Sequence, residues 1–166
     1  MMKHLALSAV IALILPATAM AHNYHFEITD AFLRSSNPKS GAAFMTILND
    51  SEHDCTLSTV ETPVADKAEL HTSRENAEGM MEMLPIEGGI TIPARGTHSL
   101  ARGGDHVMLM GIAAPLAQGD EVPMTLDFGE CGKVELLLPL DNDRTGVVAG
   151  DAAQAKLTGS EGHAGH

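Results

Sequence analysis

The sequence predicts an all-β fold, a sandwich or a barrel, on three observations. Runs of strand length alternate with Gly, Pro, Asn and Asp punctuation. Several runs alternate apolar and polar residues: Val122, Met124, Leu126 and Phe128 share one face, as do Val134, Leu136, Leu138 and Leu140. That alternation belongs to strands with one face on a core. Helix is scarce, since 113–119 holds one turn at most and has Pro115 inside it.

The expected strands run in order 25–34, 42–49, 55–61, 68–73, 80–85, 98–101, 106–110, 122–128 and 134–140. Asn37-Pro38 separates the first two, and Gly88-Gly89 ends the fifth. Pro93-Ala94-Arg95-Gly96 leads into the sixth, Gly103-Gly104 divides the sixth from the seventh, and Gly129 closes the eighth. Turn signals at such regular spacing suit a sandwich or barrel. From Asp141 the chain turns to Gly, Ala, Asp, Asn and Thr with almost no large apolar residues, a composition unable to bury enough surface to order itself. The expected organisation is a signal peptide (1–21), one β domain (22–140) and a flexible His-containing tail (141–166).

The signal peptide rests on Lys3 and His4, the apolar run from Leu5 to Leu15, the break at Pro16 and the small-residue site Ala19-Met20-Ala21. The run is about half of the roughly 20 residues that a membrane span needs, which disfavours the alternative of an N-terminal anchor. No second apolar stretch of spanning length follows, so no membrane span is expected after signal removal. The net charge of −12 opposes nucleic acid and anionic lipid and favours a cation or a basic partner. Four Phe and one Tyr leave little for base stacking. Export makes a Cys55–Cys131 disulfide chemically allowed, with two buried thiols or two thiolate ligands as alternatives.

A soft-metal constellation occupies the middle of the chain. His71 is followed by Met80, Met81 and Met83 and then by His106-Val107-Met108, and five of the ten methionines fall between positions 80 and 110. Thioether and neutral imidazole suit Cu(I), whereas zinc sites use Cys, His, Asp and Glu. On a strand, residues two apart share a face. His106 and Met108 therefore project together, with Met110 if the strand continues, and Met81 pairs with Met83 while Met80 points away. His71, Met83, His106 and Met108 supply two nitrogens and two sulfurs, enough for a distorted tetrahedral Cu(I) site. The competing reading is that methionines fill a core, which is the expectation for Met45, Met110 and Met124.

The segments Ala68-Glu69-Leu70-His71, Gly79-Met80-Met81-Glu82-Met83-Leu84-Pro85-Ile86-Glu87, Ile92-Pro93-Ala94, Gly103-Gly104-Asp105-His106-Val107-Met108-Leu109-Met110-Gly111 and Gly119-Asp120-Glu121-Val122-Pro123 together resemble the periplasmic copper chaperones called PCuAC. The resemblance extends over roughly 25–140. That family's pattern is a His, an optional adjacent Met, a later Met and then His-x-Met, matched here by His71, Met83, His106 and Met108. Thr72 stands where the optional Met would be, and the spacer from Met83 to His106 is slightly long, a difference that the Gly88-Gly89 turn can absorb. Met80 or Met81 remain alternatives to Met83. The resemblance implies a cupredoxin-like Greek-key β-sandwich in the periplasm with an exposed Cu(I) site. It also implies delivery to the dinuclear copper centre of a respiratory cytochrome oxidase, with a copper-accepting oxidase domain or another copper chaperone as partner. Cys55 and Cys131 stand outside its metal motif.

Other readings carry less. Cleavage after Ala21 would leave His22 at the new terminus, where its amine and imidazole, with His25, can chelate Cu(II). A copper oxidase or monooxygenase built on His22 is the enzyme alternative to a non-enzymatic carrier. The tail histidines His163 and His166 offer a further Cu(II) or Zn(II) site, with a merely solvated tail as the alternative. A blue-copper centre needs a Cys thiolate with a nearby His, and no His follows Cys131 until His163. Copper storage or detoxification with the same ligands is the alternative to delivery. His53 and His98 read as surface residues.

Overall fold

Alternation along each strand decides which side chains meet. On β2 (Ser40–Asn49), Ala43, Met45 and Ile47 are buried in the core, while Ala42, Thr46 and Leu48 between them are half-buried on the other face. The computed structural model describes residues 24–146. The expected signal peptide lies outside that range, as do His22, His163 and His166. The other elements are β1 (Phe26–Asn37), β3 (Cys55–Leu57), β4 (Thr59–Glu61), β5 (Ala65–Glu75), β6 (Met81–Pro85), β7 (Ile90–Ile92), β8 (Thr97–Leu100), β9 (Asp105–Ile112), β10 (Glu121–Asp127), β11 (Lys133–Pro139) and a 3-10 turn at Gly129–Cys131.

The main sheet has the order β1-β2-β9-β5-β6, with β8 also paired to β2. Two smaller sheets, β11-β10-β4 and β3-β7, complete the described part. Every named strand pair is antiparallel. The late strand β9 is inserted between β2 and β5, which places residues distant in sequence side by side. One core joins the sheets: Leu33, Ile47 and Leu109 from the main sheet meet Leu57, Ile92, Leu126 and Leu138 from the smaller ones. Each such side chain, fully removed from water, contributes about 1.5–3 kcal/mol.

Some elements differ from expectation. The expected strand 55–61 is two strands in different sheets, because Leu57 and Val60 are buried while Ser58 and Thr59 between them are exposed, which breaks the two-residue phase. The segment Ile90–Ile92 forms a strand that was not expected. It lies close beneath β3 because Gly89, at φ 82°, has no Cβ to collide with the Leu57 carbonyl.

Residues 141–146, expected to belong to a flexible tail, are held against the domain, and 147–166 lie outside the described residues. Residues 141–146 strap across β1, with the Asp141 amide donating to the Leu33 carbonyl (2.9 Å) and the Ser35 amide donating to Asn142 Oδ1 (2.9 Å). The Arg144 guanidinium contacts Asp30 (3.0 Å) and lies 4.7 Å over the Phe32 ring. Polar side chains and one cation–π contact thus order a stretch that lacks apolar bulk. The Gln118 amide, and then the backbone amides of Asp143 and Arg144, hold the Asp141 carboxyl below its usual range.

Cys55 on β3 and Cys131 in the 3-10 turn form a disulfide across a sequence separation of 76. Closing so long a loop restricts the unfolded chain, and such bridges typically contribute about 2–4 kcal/mol. The Cys131→Ser, Cys55→Ser double variant should therefore unfold at a clearly lower urea midpoint with the same far-UV circular dichroism. Equal midpoints would show that the bridge contributes nothing to stability.

Candidate metal centre

The pairing of β5 with β9 sets His71 directly opposite His106. Residues directly opposite in an antiparallel pair project from the same face. Their neighbours Leu70 and Val107 point into the core, so the two imidazoles stand on the outer face of the main sheet. There they complete a row of rings across four strands, from Phe32 to Phe44 (5.3 Å between centroids), Phe44 to His106 (6.2 Å) and His106 to His71 (6.0 Å). The row shields the imidazoles from water: His106 is 3% exposed, and the His71 side chain 13%.

Each ring has one nitrogen engaged and one left over. His106 Nδ1 lies 3.1 Å from the Gly104 carbonyl oxygen. A carbonyl only accepts, so this nitrogen carries the proton and Nε2 keeps its lone pair. His71 Nε2 lies 3.3 Å from Glu69 Oε2, which by the same reasoning leaves the lone pair on Nδ1. Both remaining atoms, His71 Nδ1 and His106 Nε2, are buried without a hydrogen-bond partner. An unsatisfied buried polar group costs about 1–3 kcal/mol, so two in one place call for a ligand that accepts lone pairs. A carboxylate or carbonyl behind a histidine is the arrangement that orients metal-binding imidazoles.

The thioethers frame this pair. Met108 on β9 faces Glu69 on one side and the small Ala42 on the other. Met83 on β6 faces Ser73 and is 63% exposed on the edge strand. A groove of about 740 Å³ is lined by His106, Met108, Met83, Met81 and Ser73, with Arg34 and Arg102 at its rim. His71 adjoins this groove through His106. Met80 is exposed but is not among the lining residues. Among the described residues no three His, Cys, Asp or Glu side chains gather as a metal site, and the available donors are imidazoles and thioethers.

Other expected residues fall elsewhere. His25 is exposed beside the start of β1. The cysteines are bonded to each other, so neither the buried-thiol nor the thiolate-ligand alternative holds. Met45 and Met124 are core residues, but Met110 is only half-buried and shares the outer face with Met108. His98 is not a plain surface residue: Nε2 lies 3.0 Å from Asp105 Oδ2, with about a quarter of each side chain exposed. The supporting groups Glu69 and Gly104 were not singled out from sequence. Glu69 precedes His71 by two residues and so shares its strand face, a signal that was available.

The family model described as "Putative lipoprotein LpqE-like" matches residues 26–140. A relative from Leifsonia xyli subsp. xyli, "Putative lipoprotein Lxx21020", is 29% identical over 116 residues, covering 69% of this chain and 68% of that protein. The solution structure of CuI-DR1885 from Deinococcus radiodurans is 32% identical, covers 71% of this chain and 80% of that chain, and superposes with a TM-score of 0.54. The copper-bound PCuAC domain from PmoF2 is 20% identical, covers 72% of this chain and 97% of that chain, and has a TM-score of 0.57; at that identity it speaks for the fold, a cupredoxin-like β-sandwich. The chain belongs to the LpqE-like family, and the resemblance to PCuAC proteins carried by its His and Met motifs holds.

Proposed function

We propose that this protein is an exported carrier of one Cu(I), which it holds through His71 Nδ1, His106 Nε2 and the sulfurs of Met83 and Met108. The observation that carries the reading is the pair of buried, partnerless imidazole nitrogens on adjacent strands. Two neutral nitrogens and two thioethers match the softness and low coordination number of cuprous ion, and Cu(II) prefers tetragonal nitrogen and oxygen donors. Thioethers form no disulfides, so the donor set survives an oxidising compartment. The signal-like N-terminus and the lipoprotein name of the Leifsonia relative support export to the periplasm, and the copper(I) form of DR1885 supports the cargo.

Exposure of Met83 favours delivery over storage. Its side chain sits on an edge strand, free to leave the ion while the buried imidazoles keep their places. The partner is a copper-accepting domain, either that of the dinuclear centre in a cytochrome oxidase subunit or another copper chaperone. The net charge of −12 draws cations toward the surface and suits a basic docking patch on that partner.

Met108→Ala should weaken Cu(I) binding strongly in competition with a cuprous chelator, and X-ray absorption on the loaded wild-type protein should count two nitrogen and two sulfur neighbours. Unchanged affinity in the variant would remove Met108 from the ligand set. Glu69→Ala removes the carboxylate beside His71 and should cost about 10–100-fold in Cu(I) affinity, the usual range for a group supporting a metal ligand. No loss would mean that the carboxylate is a bystander. Mixed with a purified oxidase copper domain and then separated from it, the loaded protein should emerge depleted of copper. Full retention of the ion by the carrier would refute delivery to that acceptor.

A further inference from the structure

Met80, Met81 and Met83 are 62%, 60% and 63% exposed, and with Leu137 they make up the exposed large apolar side chains of the described residues. Methionine as core filler does not account for them, since none is in the core. The turn that precedes β6 decides which of them face the groove. Asn76 Oδ1 accepts the amides of Glu78 (3.0 Å) and Met80 (2.9 Å), and the Asn76 amide donates to the Met80 carbonyl (2.8 Å). This clamp sets the phase of the strand: Met81 pairs with Glu75 and Met83 with Ser73, and both line the groove that holds His106 and Met108.

Along this face the donors form a graded series. His106 is buried and His71 largely so. Ser73 opposite Met83 lies one step of two residues from His71, and Glu75 opposite Met81 lies one step further toward the hairpin end. Each step is about 6.6 Å on a strand. Met81 is therefore a second exposed sulfur in the same groove, farther along the strand from the imidazoles than Met83, and outside the four-donor set.

We propose that Met81 is a staging ligand, which with Met83 holds Cu(I) at the outer end of the groove before the ion reaches His71 and His106 and again as it leaves. The proposal rests on the Cu(I) reading above and deepens it. The step is ligand exchange alone. The bond from copper to the Met81 sulfur breaks as a bond to an imidazole nitrogen forms, and copper stays monovalent throughout. No proton moves, because the accepting nitrogens, fixed by Gly104 and Glu69, already carry lone pairs. Met83 stays bound through the exchange, so the ion is never released to water. A flexible thioether suits this role because three rotatable bonds let the sulfur travel without backbone change.

The test compares Met81→Leu, which removes the sulfur and keeps the bulk, with the wild-type protein. Equilibrium competition for Cu(I) should be unchanged, while copper exchange with a chelator, followed by stopped flow, should slow about tenfold, as expected for a change in rate rather than in affinity. With 13C-methyl methionine and Ag(I) as a diamagnetic probe, the first equivalent should shift the Met83 and Met108 methyls, and Ag(I) beyond one equivalent should then shift the Met81 methyl. An unmoved Met81 methyl with unchanged exchange rates overturns the proposal. So does an affinity loss that shows Met81 to be a permanent ligand. The first outcome leaves the four-donor site intact, and the second adds Met81 to it or puts Met81 in place of Met83. A wild-type protein that takes up neither Cu(I) nor Ag(I) removes the parent reading, and this proposal with it.

Discussion

The site depends on a single register. Strands β5 and β9 pair so that His71 meets His106, with Thr72 against Asp105 and Leu70 against Val107. A slip of β5 by one residue would turn His71 into the core and push Leu70 to the surface, and a slip of β9 would do the same to His106 and Val107. Burial of that leucine and valine opposes the slip, so the hydrophobic core indirectly fixes the distance between two nitrogens on the opposite face. The same register puts Glu69 behind His71 and Met108 beside it.

The two faces of the main sheet have different work. The inner face packs aliphatic side chains in the core shared with the smaller sheets. Phe32 and Phe44 are just as buried, at 1% and 8%, but lie on the outer face with His106. Their cover includes the strap from Asp141 to Gly146, where the Arg144 guanidinium caps the Phe32 ring and Asn142 reaches the groove wall. A segment poor in apolar residues thus helps keep water from an imidazole pair several strands away. The Cys55–Cys131 bridge ties β3 to the 3-10 turn and has no part in the donor set.

Much of this was legible in the sequence, and the limits have physical causes. Alternation in Val122–Phe128 and in His106-Val107-Met108 reported strand faces correctly, because side-chain period on a strand is local. The split at Ser58 was also local, in two adjacent exposed residues between buried ones, yet within a short apolar run it reads as noise. Ile90–Ile92 is too short to stand out beside two glycines. Pairing is not local: nothing near His71 says that its partner lies 35 positions on, and only the matching softness of the donors and the motif resemblance linked them. The strap was misread because composition weighs apolar bulk and misses a guanidinium over a ring.

Burial and exposure in the donor set pull in opposite directions, and a carrier needs both. The imidazoles are held by strand pairing, a carbonyl and a carboxylate, so little rotamer freedom remains to be lost when an ion arrives. That preorganisation favours tight binding and slow release. A chaperone made only of such groups would retain its cargo. Methionines on an edge strand are the complement, since they are mobile, neutral and reachable by a partner's own donors before the inner bonds break. On the proposed reading, release would proceed by successive exchange between sulfurs and nitrogens, each step exchanging one bond for another. On the proposed reading, the gradient from the covered centre of the main sheet to its exposed β6 edge is what would make these four side chains a carrier instead of a sink.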